Sequence, residues 1–260
     1  MQKNYKQHIF DVGAYNGIDG IGLALNNPNS MVYAFEANPK MISVIKVLKK
    51  KVENRIGKKI SNYKCYNLAV SNFNKETFFY IAKNPTVSSL NRFSKNIDKS
   101  WPGYSKNYCK VIKKIKIKTI TLNKFVQINK IDNISYLHID TQGNDLKVLK
   151  GLGSMIANVK SGKMEAAISN KKKLYEENHT LKEVKIFLKK KNFIINKINY
   201  VDKNIKNEVD IHFSNKLTFK KNEVKNNFNK RYFQRVLDDK TYFKDNFKDF
   251  FIKLINILIY

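Results

Sequence analysis

Asp11-Val12-Gly13-Ala14-Tyr15-Asn16-Gly17-Ile18-Asp19-Gly20 decides how this chain folds. The stretch follows the apolar pair Ile9-Phe10 and precedes Ile21-Gly22-Leu23-Ala24-Leu25, which can begin a helix. An acid ends a strand, and glycines then let the backbone turn tightly into a helix. That order builds a nucleotide-type pocket at the carboxyl end of a parallel strand. Working outward, Met31-Val32-Tyr33-Ala34-Phe35-Glu36 reads as a second strand that also ends in a carboxylate. A carboxylate there suits the two hydroxyls of a ribose. Together the two stretches point to an adenosine-containing cofactor.

The glycine spacing narrows the choice. A dinucleotide fingerprint is G-x-G-x-x-G, with helix N-terminal amides facing a pyrophosphate. Tyr15 stands where its second glycine belongs, and Asp11 lies close before the first. A carboxylate there repels a pyrophosphate and suits a cationic ligand. S-adenosylmethionine carries an ammonium and a sulfonium and no phosphate, so the motif favours a methyl donor over a nicotinamide.

The 260 residues suit one α/β domain with an appendage. Fifty Lys+Arg against 21 Asp+Glu give a formal net charge of +29. Such a field attracts anionic partners, and it tilts the expected acceptor toward an acidic or phosphorylated glycan. The excess is almost all Lys, however, and Arg is confined to Arg55, Arg92, Arg231 and Arg235. Base readout and planar phosphate recognition lean on Arg, so no nucleic-acid partner is expected. Cys65 and Cys109 form neither a metal spacing nor a disulfide framework. The first residues, Met1 to His8, lack an apolar leader segment. No run reaches the length of a transmembrane helix. These features lead to the expectation of a cytoplasmic protein without a metal.

Strand and helix patterns alternate through the first two-thirds. Asn38-Pro39 opens an amphipathic helix carrying Met41, Ile45, Leu48 and Val52. Tyr63 to Val70 reads as a third strand, and Thr77 to Ile81 and Ile115 to Ile120 as further ones. Tyr136-Leu137-His138-Ile139-Asp140 is a buried strand ending in an acid. A turn and a short helix follow, closed by Gly151. Met164 to Ile168 is a strand with a buried acid, Leu181 to Lys191 a helix, and 193–200 with 208–213 a final strand pair. The order implies right-handed crossovers and a mostly parallel sheet with an antiparallel edge pair. Residues 84–109 are long and aperiodic, and are read as a lid or substrate loop. From about Lys216 the chain turns basic and aromatic. Residues 217–260 are expected to form a helical extension whose apolar end packs on the domain, on a second copy or on a membrane surface.

The chain resembles the FkbM family of S-adenosylmethionine-dependent methyltransferases from about His8 to Phe213. The carriers are 11–17, Phe35-Glu36-Ala37-Asn38-Pro39, Asn67-Leu68-Ala69-Val70-Ser71, Ser88-Ser89-Leu90, Thr119-Ile120-Thr121-Leu122, 137–151 and Glu208-Val209-Asp210-Ile211-His212-Phe213. Two positions depart from the family pattern: Ala37 stands where Pro is common, and His138 where Lys is common. The resemblance implies a class I methyltransferase fold over 1–216 and O-methylation of hydroxyls on sugars or natural products. It implies that Asp11, Gly13, Tyr15, Asn16 and Gly17 surround the methionine part of S-adenosylmethionine. By the same match Glu36 holds the ribose, Asn67 and Ala69 lie near the adenine, and Asp140 and Gln142 lie beside the transferring methyl.

A sugar hydroxyl is a poor nucleophile at neutral pH, so a general base is expected. Asp140 is the first candidate, because a carboxylate at a strand's carboxyl end faces the crevice. Glu165 is the second; otherwise it is a buried acid paired to a neighbouring Lys. His138 has a suitable titration range, yet it lies two residues deeper on the same face and reads better as a satisfied core histidine. Two other readings compete. A nicotinamide-dependent sugar oxidoreductase lacks the phosphate-cradling glycine. A non-catalytic basic module would bind anionic glycan, lipid or RNA on a degenerate methyltransferase fold.

Overall fold

The computed structural model describes residues 5, 7–95, 97–103, 108–217 and 224–225. The strands of the main sheet are β1 (Gln7–Val12), β2 (Ser30–Phe35), β3 (Tyr63–Tyr66), β7 (Tyr136–Ile139), β8 (Ser161–Ala167), β9 (Phe193–Tyr200) and β10 (Glu208–Asn215). They lie in the order β3-β2-β1-β7-β8-β10-β9. The first five are parallel to one another, and β10 and β9 are antiparallel. A second sheet holds β4 (Ala69–Val70), β5 (Glu76–Ala82) and β6 (Val111–Ile120) in the order β4-β6-β5.

Helices α1 (Ile18–Asn26) and α2 (Pro39–Ile56) cover one face of the main sheet. Helices α4 (Leu122–Ile128), α5 (Asp145–Lys150) and α6 (Leu181–Lys190) cover the other, while α3 (Ile97–Ser100) is a single turn away from both. Alternation along β1 sends Ile9 to the first core and Phe10 and Val12 to the second. All six residues of β2 are buried, as expected of a central parallel strand. Each fully buried Ile, Leu or Phe contributes roughly 1.5–3 kcal/mol. The helix starts are built locally. Asn38 accepts the Lys40 N–H ahead of Pro39, Thr121 accepts the Lys124 N–H, and Thr180 forms a reciprocal capping box with Glu183.

Three expectations change. The strand predicted from Tyr63 to Val70 breaks at Asn67-Leu68, because the Asn67 amide clasps the carbonyls of Glu36 and Ala37. The chain beyond it leaves the main sheet to pair with β6. The strands predicted around 77–81 and 115–120 are real but pair antiparallel with each other in the second sheet, away from the parallel order. The region 84–109 is anchored along its described length. Ser89 exchanges backbone hydrogen bonds with Tyr80, Ser100 Oγ donates to the Lys171 carbonyl, and Trp101 Nε1 donates to that of Lys172. The helical extension expected over 217–260 falls almost entirely outside the described residues. Lys225, one of those described, is held by reciprocal 2.8 Å hydrogen bonds with the Asn27 side chain. Among the described residues no helix is long and apolar enough to cross a membrane.

Candidate active site

Connections run one way from β1, through β2 to β3, and the other way from β7, through β8 toward β10. The gap opened by that reversal, at the carboxyl ends of β1 and β7, is where α/β sheets bind ligands. A cavity of about 480 Å³ opens there. Gly13, Tyr15, Glu36, Ala69, Asp140 and Gln142 line it; Asp11, Asn16, Gly17, Asn67 and His138 do not.

The end beside β1–β3 is shaped by backbone. Gly13 has φ +89°, and a Cβ there would overlap the Asp140 carbonyl oxygen. Only glycine lets the first loop close against the end of β7. Tyr15 adopts φ +47°, the left-handed conformation that glycine favours, at the position where the dinucleotide fingerprint has its second glycine. Its N–H donates to Glu36 Oε2 at 2.7 Å, and the Asn38 N–H donates to Glu36 Oε1 at 2.7 Å. Each oxygen keeps accepting capacity for a ribose hydroxyl. Burial raises Glu36 to about 7 despite those two amides. Ala37, Leu68, Ala69 and Val70 continue the wall as an apolar slot. Asn16 instead turns its side-chain oxygen to the Ile18 N–H at the start of α1.

Asp11 lies beneath the loop, fully buried, with Oδ1 2.8 Å from His138 Nδ1. It therefore supports the glycine loop from behind rather than facing the cavity. Its Oδ2 finds no partner among the described residues, and a Cβ at Gly20 would come within 2.5 Å of it, so the bare glycine lets α1 close over this carboxylate. His138 is a partnered histidine of the interior. Burial disfavours its cation, but the hydrogen bond to Asp11 and the charges of Asp11, Asp19 and Asp140 together raise its pKa.

The other end is built from side chains. Asp140 follows β7 and accepts the Gln142 Nε2–H at 2.6 Å. Burial raises its pKa, while His138 and Gln142 pull it down. Gln142 Oε1 in turn accepts the Tyr175 hydroxyl at 2.9 Å, and the Val87 carbonyl stands at the same distance from that hydroxyl. Tyr175 is fully buried, and Gly143 leaves room for its ring. Asp145 ties the loop to β8: Oδ1 accepts the Thr141 N–H and hydroxyl, and Oδ2 accepts the Glu165 N–H at 2.8 Å. Burial raises Asp145 to about 7. Glu165 lies on the wall. The neighbouring lysine on its face, Lys163, pairs with Asp210 at 2.9 Å, so the alternative reading of Glu165 as an acid paired to a neighbouring Lys is not formed. Burial, then the charge of Asp140, holds the Glu165 carboxyl well above its ordinary range. Glu208 joins the wall from β10, raised to about 8 by burial.

Four contributors escaped the sequence reading: Tyr175, Asn144, Asp145 and Glu208. Asn144, Asp145 and Glu208 lie within stretches that carry the family resemblance, but only for Glu208 does strand geometry point to the site. An antiparallel strand begins at the edge where its parallel neighbours end, so an acid opening the last strand lands beside Asp140 and Glu165; Glu208 pairs with Ala167. Tyr175 lies in a connection with no periodicity, and Asn144 clamps Val70 and Ser71 from across the fold. Asn84 to Ser88, Leu90, Trp101 and Tyr108 line the cavity, so the 84–109 segment is cavity wall along much of its described length.

Residues 11–195 match the family model of the methyltransferase FkbM domain. No curated protein matches the sequence. Among solved structures, an FkbM methyltransferase from Methylobacillus flagellatus KT is similar at 13% identity and a TM-score of 0.47, over 80% of this chain and 43% of that one. This chain thus spans less than half of that protein's length. TrmK of M. capricolum, in complex with S-adenosyl-homocysteine, is similar at 15% identity and 0.40, over 97% and 89%. Magnesium protoporphyrin IX methyltransferase from Synechocystis PCC 6803, with bound SAM, gives 9% and 0.40, over 80% and 69%.

Proposed function

The chain belongs to the FkbM methyltransferase domain family, and we propose that it moves a methyl group from S-adenosylmethionine to a hydroxyl oxygen of a small-molecule or glycan acceptor. One observation carries this reading. The cavity places Glu36 at a nucleoside-sized end and Asp140 at the other, with no Lys, Arg or His on its described wall. A phosphate-bearing nicotinamide would meet carboxylates and no cation. A sulfonium cofactor meets the charge it needs. The residues fit the group: the Gly13 cradle is one that a Cβ would fill, Glu36 suits the ribose, and the slot from Ala37 to Val70 suits a purine face.

When bound, S-adenosylmethionine supplies a carbon already activated by its sulfonium. The protein's work is to orient and to move one proton. Asp140 accepts the proton of the acceptor hydroxyl, and burial makes it a stronger base than an ordinary carboxylate. Gln142 holds one Asp140 oxygen and leaves the other free for that proton. Tyr175 fixes which end of the Gln142 amide faces Asp140. Alignment of the acceptor oxygen with the methyl carbon contributes more, up to about 7–11 kcal/mol in well-oriented reactions.

The test is methyl transfer from S-adenosylmethionine carrying a deuterated methyl group, searched by mass spectrometry across small-molecule and glycan fractions. Asp140→Asn should keep cofactor affinity and lose about 10²–10⁴-fold in rate. A normal rate in that variant removes Asp140 as the base, and label found only on nitrogen or carbon overturns O-methylation.

A further inference from the structure

The cavity wall has the opposite charge to the chain that surrounds it. Against a formal net charge of +29, the described wall holds Glu36, Asp140, Glu165, Asp202 and Glu208 and no basic side chain. Glu36 and Asp140 have roles at the ribose and the reacting hydroxyl. Asp202 already accepts the N–H groups of Asn204 and Ile205, which leaves Glu165 and Glu208, with Asn207 beside them on the wall where β8 meets β10.

These three groups are acceptors that lack donors. The Glu165 carboxylate makes no hydrogen bond among the described residues and stands opposite Asp210 across the strand pair. Glu208 receives one long bond, 3.3 Å from Asn178 Nδ2, on a single oxygen. Asn207 is 1% exposed; its Nδ2 donates to the Ser100 carbonyl, and its Oδ1 has no partner. Lys163 is engaged by Asp210. Buried acceptors without donors are costly, and the raised pKa values of both glutamates express that cost. Among the described residues no His, Cys, Asp and Glu side chains are grouped to hold a metal ion. A primary ammonium, by contrast, offers three N–H donors and a positive charge.

We propose that the acceptor carries a protonated amine, as an amino sugar does, and that Glu165, Glu208 and Asn207 hold it while a hydroxyl of the same molecule faces Asp140. The inference rests on the methyl-transfer reading and replaces the acidic glycan suggested by the surface charge. A cation bound between the two carboxyls draws off their protons, so its binding releases protons and tightens as the pH rises through the range of Glu208.

The test uses three probes of one shape, cyclohexylamine, cyclohexanol and cyclohexanecarboxylate, titrated into protein saturated with S-adenosylhomocysteine. Saturation fills the cofactor end, so the cofactor's own amine cannot account for selectivity. The amine should bind about ten-fold or more tightly than the alcohol, and the carboxylate should not bind. In the isosteric double variant Glu165→Gln/Glu208→Gln that advantage should shrink to about two-fold or less, with S-adenosylhomocysteine affinity and melting temperature kept. Glu208→Gln alone, which still accepts from Asn178, serves if the double variant does not fold. Equal binding of amine and alcohol, preference for the carboxylate, or an amine advantage that survives the variants overturns the inference. Absence of S-adenosylhomocysteine binding overturns the cofactor reading instead, and the probe comparison is then read on the cofactor-free protein.

Discussion

The two ends of the cavity are made differently. Beside β1–β3 the shape comes from backbone: two positive-φ residues, Gly13 and Tyr15, and amides that grip Glu36. Beside β7, β8 and β10 it comes from buried side chains of four distant segments, Asp140, Asp145, Glu165, Tyr175 and Glu208. The first end is fixed by backbone conformation and main-chain hydrogen bonds. The second gathers acids whose ionisation burial disfavours until a cationic ligand binds. A cofactor shared by many enzymes suits the first construction, and a particular acceptor suits the second.

The largest effect expected from breaking this contrast lies at the backbone end. Gly13→Ala forces a Cβ into the Asp140 carbonyl and holds alanine at φ +89°. A cost of roughly 3 kcal/mol or more should follow. That lowers the melting temperature by about 6 °C or more, with cofactor affinity lost by calorimetry. A variant that melts normally and binds would show the loop to be looser than its geometry.

The side-chain end should answer to pH. Glu36 and Asp145 are raised to about 7 and Glu208 to about 8. Acids raised by folding contribute stability that is complete below their ordinary values, about 4, and lost as pH climbs through the folded values. His8, His179 and His212 are lowered, chiefly by burial, and change in the opposite sense. That opposite change is finished by about pH 6.5, the ordinary histidine value. Between about pH 6.5 and 8.5 the ligand-free protein should therefore lose stability, on the order of 3 kcal/mol from these three acids, and the raised His138 adds to the loss in the same sense. Denaturant melts at the two ends of that window measure it, and a flat profile would mean that these acids are solvated or paired in solution.

A smaller change sharpens the contrast further. Tyr175→Phe removes the hydroxyl that sets the Gln142 amide and leaves the ring in place. About 1 kcal/mol of stability should be lost. Turnover should fall several-fold at constant cofactor affinity, with the base-limb of the pH–rate profile displaced. An unchanged profile would leave Tyr175 as packing alone.

The same contrast explains what could be read from the residues in order. The Gly13–Gly17 turn, the acid ending β2 and the alternation of elements are local, each contained in a few consecutive positions, and they led to the parallel sheet and the cofactor end. The motif points Asp11 at the ligand, yet it lies behind the loop. Its pairing with His138 spans 127 residues and no local pattern announces it. The resemblance puts Asn67 beside the adenine; its amide clasps the backbone of Glu36 and Ala37, and Leu68 is on the wall. Tyr175 and Glu208 reach the site only through tertiary packing. The net charge was least informative of all, because lysines spread over the outside say nothing about a wall that excludes them.

The most direct single measurement is calorimetric titration of the purified chain with S-adenosylmethionine, S-adenosylhomocysteine and NAD, repeated on Glu36→Gln. Micromolar binding of the first two, none of NAD, and a loss of about ten-fold or more in the variant are expected of a carboxylate-lined nucleoside end. Binding of NAD at comparable strength, or folded protein that binds neither methyl-donor ligand, would contradict it.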